Sequence, residues 1–213
     1  MDEITSAIGQ VLANELEGFK LMKSRDSLVR ATGFGWHAIA IEALPTAAPG
    51  VVKLAAHAQI RIDEIEALYI PLHPFIDAKA AKLHPTLVTN CDSLLGDRAL
   101  ANGFPADQAS IKAFSLRYAA DLRTNVLPWL NRYSSADALF DGLSDPDPKK
   151  WVTSDRLTRY PVLMAVLASR ADWARFDQIG AEFVAYCTQR HALVYKPLAE
   201  AMLRMRERSQ RPQ

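Results

Sequence analysis

Apolar residues recur at helical spacing from the start of the chain. Ile4, Ala7, Ile8, Val11, Leu12 and Leu16 fall on one face, acidic residues open the run and Gly18 supplies a stop. This predicts a helix with one buried side. The period then changes to two. Residues 19–25 and 27–32 predict a short hairpin turning at Asp26 and Ser27, and residues 36–44 and 51–62 predict a longer one across the turn-forming stretch 45–50. A helical turn at 63–68 and a short strand at 86–89 flank a proline-rich region with two Leu-His-Pro triplets. Pro105 suits the first position of a helix whose stripe is Ile111, Phe114, Tyr118, Leu122, Val126 and Trp129, with Pro128 kinking or ending it. Ser134 or Ser135 caps a short helix through Phe140, and residues 141–150 form the strongest break in the chain. Beyond it, Leu157, Tyr160, Met164 and Leu167 share a helical face, with Pro161 placing the regular start near Tyr160. A helix at 172–189 carries Trp173, Phe176, Gly180, Phe183 and Cys187, and a last one carries Leu198, Met202 and Met205.

These elements define an α+β fold: an N-terminal helix packed on an antiparallel β-meander, followed by an α-helical C-terminal lobe. The division falls at 104/105, giving a helix-plus-sheet lobe over 1–104 and a helical lobe over 105–213. Pairing Leu44 with Val51 in the long hairpin also pairs Glu42 with Lys53, Ala38 with His57 and Trp36 with Gln59. Ile39, Ile41, Val52, Leu54, Ala56, Ala58, Ile60 and Ile62 then share an apolar face fit to cover the first helix. The opposite face is mixed. It carries Trp36, Glu42, Lys53, His57, Gln59 and Arg61, with low ground at Ala38, Ala40 and Ala55.

Composition narrows the classes. The 213 residues are 49% hydrophobic and 23% charged, which suits a globular chain and excludes wholesale disorder. Twenty-five Lys and Arg against 24 Asp and Glu leave a net charge of +1, so no global field recruits nucleic acid or anionic lipid. The local +3 from Lys196 onwards reads as a solvated helix end, and a nucleic-acid role is not expected. Two isolated cysteines, Cys91 and Cys187, make neither a disulfide framework nor a zinc motif. With no signal-peptide pattern and no apolar run long enough to span a bilayer, a cytoplasmic protein with no membrane partner is expected.

Candidate chemistry is sparse. No nucleophile elbow, phosphate loop or metal motif is present, so no catalytic residue, metal or cofactor is expected. His37 falls on the apolar face, as a core histidine with a partner. His73 and His84, with Asp77, Asp92 and Cys91, could meet around a metal only through folding. The one grouping set by geometry is on the mixed face, where His57, Gln59 and Arg61 project together beside Trp36. Arg61 can hold a carboxylate or phosphate in two-point contact, and Trp36 offers a stacking surface. These four are the candidate binding residues. A solvated or covered strand face explains the same residue types without any ligand.

The order of first helix, Gly18-Phe19-Lys20, polar hairpin and paired long strands, then Val126-Leu127-Pro128-Trp129-Leu130, Tyr133, the short helix at 136–140 and the helical pair at 163–170 and 173–187, resembles bacterial families of unknown function. Some of these occur as immunity proteins of toxin systems. The resemblance implies a non-enzymatic protein-binding role, with a toxin-like partner whose surface is occupied. It carries over no catalytic residues. The alternative is a small-ligand binding protein or enzyme with a cleft between the sheet and the helical lobe.

Overall fold

The computed structural model describes residues 3–95, 103–145, 147, 151–153 and 155–209, with side chains to residue 206. Helix α1 (Glu3–Glu15) buries Ile8 and Leu12 completely, and Gly18, at φ +78°, turns the chain towards strand β1 (Lys20–Met22). The first strand is shorter than residues 19–25 because a 3₁₀ turn at Lys23–Arg25 and a left-handed Asp26, φ 48°, end it. Aspartate tolerates that conformation, and the Ser27 hydroxyl donates to the Arg25 carbonyl to close the corner.

Strands β2 (Ser27–Thr32), β3 (Gly35–Pro45) and β4 (Val51–Ile62) continue the meander, and β5 (Leu87–Asn90) follows β4 in the sheet. In the antiparallel register of β2 and β3, Leu28 faces Ile39 and Arg30 faces His37. The long hairpin closes differently from the expected pairing. Thr46 N donates to Val51 O at 3.1 Å, so Thr46 takes the place assigned to Leu44, and the Thr46 hydroxyl also bonds Val51 O. The shift is by two residues, which keeps every side chain on its expected face. Accordingly Ile39, Ile41, Val52, Leu54, Ala56, Ala58, Ile60 and Ile62 are all buried. Helix α1 lies against β3, where Ala43 N donates to the buried Thr5 hydroxyl at 2.9 Å.

The chain divides into two compact units, residues 1–60 with 88–132, and residues 61–87 with 133–213. This division does not coincide with one at 104/105. After β5 and α4 (Cys91–Leu95), Phe104–Pro105 forms a short strand, β6, paired with the start of β4, and helix α5 (Gln108–Asp121) packs against α1 within the first unit. Pro105 is therefore a strand residue. The helix starts three residues later, because Asp107 accepts from Ser110 N and caps it. The predicted stripe is buried through Val126, while Trp129 is half-exposed. A π turn at Leu122–Val126 precedes α6 (Leu127–Arg132), which contains Pro128. Proline has no N–H to offer the preceding turn, and the wider turn absorbs that loss without ending the helix.

In the second unit, β4 leads directly into α2 (Asp63–Tyr69), and the four-residue α3 (Ala78–Ala81) follows in the proline-rich stretch. Helix α7 (Ala136–Ser144) is capped by Ser135 as expected, but it runs into the predicted break. Residues 146 and 148–150 of that break lie outside the described residues. Helix α8 (Arg156–Ser169) begins before Pro161, since Asp155 caps it by accepting from Leu157 N and Thr158 N. Every residue from 159 to 167 is buried, because α2, α7, α9 (Trp173–Gln189) and α10 (Lys196–Ser209) all pack on it. Gly180 allows the close approach of Leu203 between α9 and α10. Among the described residues no helix is long and apolar enough to cross a membrane.

Candidate functional site

The mixed face of the long hairpin is where the sequence grouped its candidates, and the structure treats them unequally. Trp36 is half-buried, with the Arg25 guanidinium carbon 4.5 Å over its ring. His57 is exposed, and Gln59 is half-buried. Ala40 and Ala55 floor a depression of about 480 Å³ whose walls include Arg25, Asp26, Glu42 and His57. Ala40 and Ala55 of the expected low ground therefore line a depression, whereas Ala38 is fully buried, and neither Trp36 nor Gln59 lines it.

Arg61, the fourth candidate, belongs to the second unit and is occupied there. Its side chain is 14% exposed. Nε donates to Asp63 Oδ1 at 2.5 Å, Nη1 donates to the carbonyls of Ala81 and His84 at 2.6 and 2.8 Å, and Nη1 lies 3.8 Å from Glu66 Oε2. A guanidinium with these partners anchors the segment around α3 and His84.

His37 is the satisfied core histidine that its face implied. It is 2% exposed, its Nδ1 accepts from Arg30 at 2.8 Å, and Arg30 also donates to Asn131 Oδ1 and covers the Phe19 ring. Burial, with Arg30 beside it, lowers the His37 pKa to about 4. The ring is neutral at physiological pH.

The richest grouping lies in the second unit and centres on Glu66, which sequence reading passed over. Helix α2 turns its carboxylate inward, fully buried. Oε1 accepts from the Tyr69 hydroxyl at 2.9 Å, and Oε2 is 3.0 Å from His84 Nδ1. His73 and His84 come together, with ring centroids 6.4 Å apart, and both line a cavity of about 140 Å³ with Tyr69, Asp155, Thr158 and Tyr195. Two of these lining residues, His73 and Tyr195, also pack edge to face with Phe75 in a triangle with centroid separations of 5.9 to 6.1 Å. The signal in the sequence was Glu66 itself, a carboxylate at the i+4 position of the apolar series Ile62, Ile65, Tyr69.

The metal arrangement considered for these histidines does not form. Asp77 spends its carboxylate capping α3, accepting from Lys79 N and Ala80 N. Cys91 lies in the first unit, its thiol pushed up to about 12 by burial. Among the described residues no three His, Cys, Asp or Glu side chains are placed to hold a metal ion. What the cluster offers is hydrogen bonding in a small concave site, with aromatic surface around it. Comparisons with known proteins found no matching family model, no matching curated protein and no matching solved structure.

Proposed function

We propose that the protein acts by binding another protein, without chemistry of its own, as immunity proteins do when they occupy a toxin surface. The observation that carries this is the exposed apolar surface beside the ring triangle. Phe75 is 57% exposed, and Leu193 and Val194, in the 3₁₀ turn that ends at Tyr195, are 55% and 50% exposed. Large apolar side chains held this far into water lose hydrophobic stabilisation, and such patches mark interaction sites. Aromatic residues at the centre of a patch are also the usual carriers of binding energy. The adjoining cavity, at about 140 Å³, falls below the size of ordinary small-molecule pockets and suits one inserted side chain.

A photo-crosslinking residue at position 75 tests this in cells, with position 116 as an exposed control in the first unit. A protein should be captured from 75 and not from 116. The same protein, once purified, should bind the Phe75→Ser/Leu193→Ser variant at least about tenfold more weakly, as for a hot-spot pair, with unchanged melting. Equal capture at both positions, or unchanged affinity, overturns the reading. The second reading, a small-ligand protein, draws on the depression over the sheet, whose 480 Å³ lies in the ligand range and whose walls carry Arg25, Glu42 and His57. It requires a ligand that raises the melting temperature of the wild type and not of His57→Ala.

A further inference from the structure

The two histidines of the second-unit cavity have their tautomers set by opposite partners. Glu66, ion-paired with Arg61, can only accept, so the proton of the His84–Glu66 bond sits on His84 Nδ1. In the neutral ring this leaves Nε2 of His84 as a lone pair. At His73 the partner is the backbone N–H of Phe75, which can only donate, at 3.3 Å to Nδ1. The proton of His73 therefore sits on Nε2. Burial lowers the His73 pKa and keeps the ring neutral. Two rings 6.4 Å apart and tilted by 43° thus line one cavity, one with an N–H to give and one with a lone pair to receive. No hydrogen bond among the described residues uses either Nε2.

We propose that this cavity receives one side-chain carboxamide, the Asn or Gln of a bound protein. This rests on the protein-binding reading. The carbonyl oxygen accepts from His73 Nε2, one amide N–H donates to His84 Nε2, and the second meets the hydroxyl oxygen of Tyr195. A carboxylate would set lone pairs against His84 Nε2 and Asp155. An ammonium group would set its own protons against the His73 N–H. Each loses one of the two bonds and leaves a polar group of the site unpaired, which is how hydrogen-bonding pockets discriminate. The small volume admits the head of a side chain, and the exposed Phe75, in ring contact with the cavity residues His73 and Tyr195, offers apolar surface beside it.

The test uses the full-length protein with ¹⁵N-labelled histidines at neutral pH. Long-range ¹H–¹⁵N spectra should show His73 protonated on Nε2 and His84 on Nδ1. Propionamide should then shift both Nε2 signals saturably, while propionate and propylammonium should not. His73→Phe keeps a ring in the packing and removes the donor. It should weaken propionamide binding about tenfold, the worth of one hydrogen bond, as read at His84. The same tautomer on both rings, no saturable response to propionamide, or an equal response to either ion overturns the proposal. If the amide response fails while Phe75→Ser/Leu193→Ser still loses its partner, the cavity assignment falls and the protein-binding reading stands. If the response holds while that variant keeps its partner, the partner as source of the amide is overturned, and a free amide takes its place.

Discussion

His57 and Arg61 stand four residues apart on one face of the same strand, yet one faces solvent and the other is built into the structure. His57 belongs to the first unit and looks over a depression floored by alanine. Arg61 opens the second unit and bonds Asp63, Ala81 and His84 beside the buried Glu66. Strand alternation states which side a residue projects from, and nothing about what covers that side. On the sheet face of the first unit, His57 is exposed while Trp36 and Gln59 are half-buried, and the Arg25 guanidinium lies over the Trp36 ring. In the second unit a buried carboxylate organises arginine, tyrosine and histidine around itself, and such satisfied networks fix side chains in single orientations. The groups of the second region are thus held in place by one another.

The contrast can be broken by measuring stability first at sites of deep packing. Phe114, 6% exposed and stacked on Phe104 at 3.9 Å, anchors the first unit. Phe114→Ala should cost about 3–5 kcal/mol through the cavity it leaves. Differential scanning calorimetry would read this, and an unchanged midpoint would place the α5 stripe in solvent. Arg61→Ala should follow at about 3 kcal/mol, since it strips a partner from a buried carboxylate. A loss below about 0.5 kcal/mol, the range of plain surface changes, would make Arg61 a surface residue like His57.

The pH dependence of melting sharpens the comparison further. His37 takes up a proton less readily in the fold than in the unfolded chain, about 4 against an ordinary 6.5, chiefly through burial. The unfolded state therefore binds more protons on acidification. Its contribution to stability is complete above pH 6.5 and is lost as the pH falls towards 4. His37→Gln, which keeps an acceptor for Arg30, should flatten that slope. An unchanged slope would assign the acid sensitivity elsewhere. The smallest effect belongs to His57→Ala, expected within about 0.5 kcal/mol by chemical denaturation. A larger loss would show that the sheet face is covered after all.

Local pattern determined much of this molecule: the first helix, the two hairpins, the buried face of the sheet, the α5 stripe and the helical C-terminal region. Each follows from a period of two or 3.6 that one buried side imposes on neighbouring residues. The same local chemistry fixed His37 as a core histidine and Ala40 and Ala55, though not the buried Ala38, as low ground. Boundaries were less legible where a side-chain cap or a wider turn competed with proline, as at Asp107, Asp155 and Leu122–Val126. Arg61 was legible as a polar residue on the mixed face, but not as the anchor of α3, because its partners at Ala81 and His84 lie 20 and 23 residues away. Only the tertiary structure brought Glu66 to His84, across 18 residues, and set Tyr195 beside His73. Contacts between distant segments leave no period in the sequence, since each segment's pattern records which side is buried and not which residue it will meet.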